Sequence, residues 1–114
     1  MTPEEKMDRI DDLLSHVWVV RAFIKHSEEA EEEEALLEVQ RVLYDYMLAL
    51  GPALKARDAA NYLKQATKKY PRLRAAVAQF RQLQPEISTH TNFQMARQSL
   101  EVAVGEVGQM VEAP

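Results

Sequence analysis

The chain has 114 residues, enough for a single domain with one core. With 46% hydrophobic and 28% charged residues it falls in the globular class and not the disordered one. The absence of cysteine excludes disulfides, iron–sulfur clusters, thiolate zinc sites and cysteine nucleophiles, and the net charge of −4 argues against nucleic acid as a partner of the whole molecule. No apolar run approaches the ~18 residues of a membrane span. The acidic start MTPEEKMDRIDD lacks the basic and apolar segments of a signal peptide. A cytoplasmic protein with no membrane association is the expectation. Three glycines, an abundance of Ala, Leu, Glu, Gln, Lys and Arg, and no stretch of strand-like alternation make it all-α: one domain over residues 1–114, an antiparallel bundle of four to five helices.

A first helix is predicted from Thr2 and Pro3, a capping residue followed by proline at the first helical position, with Glu4, Glu5 and Asp8 favourable against the helix dipole. Its inner stripe is Met7, Ile10, Leu14, Val17 and Ile24, widened by Leu13 and Val20. Continued at heptad spacing, that stripe would reach Glu31 and Glu38 and fail. The next stripe, Leu36, Val39, Leu43, Tyr46 and Leu50, is five residues out of register, a rotation of roughly 140°. A turn is therefore expected between about Ser27 and Glu33, where HSEEAEEEEALLEVQ carries six glutamates in the seven positions 28–34. Lys25 and His26 suit the end of one helix and Glu31 to Glu34 the start of the next. That makes the acidic run a solvated junction.

The second helix is expected to stop at Gly51-Pro52. A third then runs from about Ala53 to Lys69 on Ala56, Ala59, Leu63, Ala66 and Tyr70. Leu73, Val77 and Phe80 continue its stripe in register as far as Gln84-Pro85, so this long segment is expected to be bent or broken at Pro71. A last helix carries Phe93, Ala96, Leu100, Val104, Val107 and Val111. Thr91 and Gln94 ahead of it have the spacing of a capping box. Gly105 and Gly108 inside it each cost roughly 1 kcal/mol relative to alanine, which close helix approach or end fraying would account for.

Charge is uneven along the chain. Residues 1–50 carry 13 acids and 5 bases, net −8, whereas residues 51–84 carry one acid and eight bases, net +7. Lys64, Lys68, Lys69, Arg72, Arg74 and Arg81 are candidate phosphate contacts, with Tyr70 and Phe80 interleaved. Those two aromatics lie on the apolar stripe and read more simply as core. A simpler account of the charge is that the basic helix lies beside the acidic pair. For metals the candidates are Asp12, His16, His26, Glu29 and His90, with Glu38 and Asp45 as further carboxylates. No Glu-x-x-His, His-x-x-x-His or His-Glu-x-x-His occurs, so a site would need ligands converging from different helices. The plainer reading of Asp12 and His16, four residues apart, is a surface helix pair. No cofactor is called for.

Arg21 and His26 form an Arg-x4-His string that resembles the short motif of the HEPN family, helical-bundle ribonucleases. The resemblance covers six residues and departs at Ala22, where a polar residue usually follows the arginine. It implies Arg21 and His26 acting together on RNA at a dimer interface.

The most informative stretch is HVWVVRAFI, residues 16–24. With Val17 at the centre of the inner face, Trp18, Val19, Ala22 and Phe23 fall roughly 100° to 240° away. The first helix thus has a second apolar face, to be covered either within its own bundle or by another subunit. The expectation is a non-enzymatic interaction or regulatory bundle that self-associates through this face or meets another helical protein.

Overall fold

A computed structural model describes residues 1–111. Five helices follow in order: α1 (Pro3–Lys25), α2 (Glu28–Glu32), α3 (Glu34–Lys55), α4 (Ala59–Ile87) and α5 (Thr91–Val111). The four long ones close a ring in chain order, α1 against α3, α3 against α4, α4 against α5 and α5 back against α1, in a body of 41 × 23 × 19 Å. Short connections force neighbours to run antiparallel. No helix among the described residues is long and apolar enough to cross a membrane.

Thr2 begins α1 as expected: its side chain accepts from the Glu5 N–H while the Glu5 carboxylate accepts from the Thr2 N–H, a complete capping box. The Thr2 groups also hold the Glu5 carboxyl below the usual carboxylate range. All seven residues of the predicted stripe of α1 are buried. The acidic junction turns the chain where expected but contains its own helical turn. Ser27 caps α2 by accepting from the Ala30 N–H, Ala30 is buried, and α3 then starts afresh at Glu34. The glutamates are therefore shared between two helix starts.

Two expected boundaries are corrected at the turn between α3 and α4. The second helix does not stop at Gly51-Pro52; α3 continues to Lys55. Gly51 and Pro52 lie on the solvent side, where the carbonyl that proline leaves unpaired is open to water, while Ala53 is drawn into the core. The true stop is a Schellman motif: the Asp58 N–H donates to the Ala53 carbonyl, the Arg57 N–H to that of Leu54, and Arg57 takes the left-handed conformation at φ 54°. Asp58 at once caps α4, accepting from the Asn61 N–H, so the third long helix starts at Ala59 and not Ala53. Ala56, assigned to its inner stripe, is exposed, and Tyr62 supplies the buried position instead.

Of the two outcomes expected at Pro71, the break is absent: α4 is one helix through Pro71 and past Pro85 to Ile87. Pro71 is exposed, and buried Tyr70, Leu73 and Val77 hold one continuous register on either side of it. The cap of α5 is His90 and not Thr91. Its Nδ1 accepts from the Asn92 N–H, and its carbonyl accepts from the Phe93 and Gln94 N–H groups. Gly108 reports a close helix approach, since a Cβ there would lie 2.8 Å from Cζ of Tyr70 on α4, whose hydroxyl donates to the Val104 carbonyl.

Candidate functional site

The second apolar face of α1 divides three ways. Phe23 is half-buried within its own bundle, meeting Phe93 of α5 edge to face at 4.9 Å between ring centroids. This corrects its assignment to a contact outside the bundle. Trp18 is 48% exposed and leans toward Tyr44 of α3; the Arg21 guanidinium lies 4.8 Å from one ring centre and 4.7 Å from the other. Val19 is 66% exposed, with half-buried Ala22 beside it.

Next to this face α5 contributes Met95 and Val102, each more than half exposed. Neither is prominent in the sequence reading, because both fall off the inner stripe that identifies α5; their signal is apolar character seven residues apart on its outer side. Together with Asp12 and His16 of α1 they line a groove of about 460 Å³ between the two helices. The Arg9–Glu106 ion pair, at 2.8 Å, crosses the groove.

The candidate metal ligands are spread through the fold. Asp12 and His16 belong to the α1–α5 groove, His26 is the exposed cap at the end of α1, Glu29 is half-buried in α2, and His90 is occupied in capping α5. Among the described residues no three His, Asp or Glu side chains gather as a metal ion would require. Arg21 and His26 are five residues apart, roughly 140° around α1. With Arg21 held between two rings and its Nε enclosed without a hydrogen-bond partner, the structure does not bring this pair together.

The basic segment divides as well. Arg81 bonds to Glu101 of α5, which also receives Arg97, and Arg57 makes a two-pronged contact with Asp8 of α1 at 2.7 and 3.1 Å. That guanidinium holds the Asp8 carboxyl below its usual range. Arg74 lies over the Tyr70 ring, and Tyr70 and Phe80 are core. Lys68, Lys69 and Arg72 instead line an open groove of about 560 Å³ between α3 and α4, with Val42, Leu48 and Leu73. Among the described residues Lys64, Lys68, Lys69 and Arg72 form no ion pair. The basic helix does lie beside the acidic first half, packed on α3 and touching α1, but these four cations are not ion-paired there.

No family model, no curated protein and no solved structure matches the chain. Chemistry must therefore be argued from the residues. The buried polar side chains Gln40 and Tyr62 each keep one unpartnered oxygen, and that of Tyr62 lies beneath a groove of about 290 Å³ between α1 and α3. Burial first, then the Asp11 and Asp8 carboxylates, push the Tyr62 phenol well above its ordinary range, so it is held neutral. Burial, with the Asp12 and Asp8 charges, likewise raises the Asp11 carboxyl. These groups do not assemble a nucleophile with a base, whereas the two outer grooves combine exposed apolar side chains with charge.

Proposed function

We propose that this chain is a non-enzymatic association module whose α1–α5 face docks on the same face of a second copy. One observation carries the reading. Of seven large apolar side chains left exposed among the described residues, Met95 and Val102 line the α1–α5 groove and Val19 is exposed on α1, while Trp18 lies on the α1–α3 side. A solvated bundle surface gains nothing from such a cluster, while burying each large side chain is worth up to about 1.5–3 kcal/mol. The charges around it favour a second copy over a one-signed partner. Arg9 accompanies Asp12 and Glu106, so a twofold axis can set unlike groups against each other.

The test is sedimentation velocity over a range of micromolar concentrations. A dimer is expected for the native sequence and a folded monomer for Val19→Glu/Val102→Glu, with the helical circular dichroism unchanged. A native chain that stays monomeric throughout, or a dimer that survives both substitutions, sinks the reading.

A further inference from the structure

On the opposite side of the ring, the α3–α4 groove has different chemistry, and we infer that it receives an amphipathic helix of a partner protein, acidic along the edge that faces α4. Leu37 and Leu48, 38% and 60% exposed, lie eleven residues apart on α3, about 16 Å along its axis. Between them two adjoining depressions share Val42 and Arg72, making one trough roughly three helical turns long. It is open to solvent, whereas a small-molecule site encloses most of its ligand. A helix laid lengthwise fits such a trough, its apolar side over Val42, which both depressions share, and against Leu37 and Leu48 on the α3 wall.

The walls decide which helix. The charged side chains of the α4 wall, Lys68, Lys69 and Arg72, are all cations, and none has an ion-pair partner among the described residues. The α3 wall is mixed, with Glu34, Glu38 and Asp45 beside Arg41. Covering the α4 wall with an uncharged partner would strip water from three cations without replacing it, so the occupant must bring carboxylates to that edge and not the other. A phosphate backbone meets the cations equally well but is repelled by the acids of the α3 wall and gains nothing from the apolar floor. The chain's own acidic run is unsuited, because the one apolar residue of α2, Ala30, is already buried.

The probe is a displayed library of helical peptides with a fixed leucine stripe and both flanks randomised among Glu, Gln and Lys, selected on the intact protein. Glutamate should be enriched along one flank only. Selected peptides should bind Lys68→Glu/Arg72→Glu and Leu48→Gln at least tenfold more weakly, although both variants keep the circular dichroism of the native protein. The Val19→Glu/Val102→Glu variant should bind them unchanged, which separates this groove from the α1–α5 face. The inference is overturned by failure to select any peptide, by symmetric or absent enrichment of glutamate, or by binding indifferent to the groove substitutions. It is equally overturned if single-stranded RNA binds through Lys68 and Arg72 without regard to Leu48, or if Leu48→Gln dissociates an oligomer of the protein itself.

Discussion

Two buried tyrosines in one core have opposite hydrogen-bond fates. Tyr46 donates to the Ala66 carbonyl at 2.9 Å, whereas the Tyr62 hydroxyl is enclosed with no partner. A made hydrogen bond contributes about 1 kcal/mol net, while an unmade one leaves a desolvated group at a cost of similar size or larger. Tyr46→Phe should therefore lower the unfolding free energy by about 1 kcal/mol, and Tyr62→Phe should raise it by about as much. Urea denaturation of both variants checks the pair. Destabilisation by Tyr62→Phe would mean that its hydroxyl has a stabilising role.

At the scale of the element, α5 contains two glycines that look alike in the sequence and should respond oppositely to substitution. Gly105 is exposed and a Cβ there meets nothing within 4 Å, so Gly105→Ala should add about 0.5–1 kcal/mol by removing backbone freedom from the unfolded chain. Gly108→Ala would drive a Cβ into the Tyr70 ring and displace its hydroxyl from Val104, a loss of about 1–3 kcal/mol. Thermal unfolding of the two variants should move in opposite directions. The same contrast explains what the sequence revealed about the elements. Thr2-Pro3 and the Met7, Ile10, Leu14, Val17 and Ile24 stripe specify α1 locally, because cap and periodicity act within a few residues. Gly51-Pro52 looked like a stop only because the exposure that makes it harmless depends on neighbouring helices. The real stop was hidden because arginine, not glycine, occupies the left-handed position at residue 57.

The whole molecule decides which features become sites. Trp18 and Val19 were legible from α1 alone, but Met95 and Val102 come beside Asp12 and His16 only because the ring closes α5 onto α1. The basic cluster was legible as composition; its division among the α3–α4 groove, the Tyr70 ring and Glu101 depends on which helices flank α4. That packing also predicts how the fold responds to alkali. Burial, reinforced by neighbouring tyrosines for Tyr46 and by Asp11 and Asp8 for Tyr62, pushes both phenols well above their ordinary range. In the unfolded chain each phenol ionises near pH ~10, while in the folded chain it stays neutral beyond that. Their contribution is therefore full below pH ~10 and declines as pH rises further, each tyrosine adding a slope approaching about 1.4 kcal/mol per pH unit. Urea midpoints should accordingly fall steeply in this alkaline window. The Tyr46→Phe/Tyr62→Phe double variant should lose that part of the slope while nearly matching the native protein at neutral pH, since its two substitutions act in opposite directions. Phenolate absorbance, taken as the difference between native and double variant, should rise together with loss of helical circular dichroism. Ionisation of these two residues in a chain that is still folded would show that the core admits water or charge at their hydroxyls, and the alkaline prediction would be wrong.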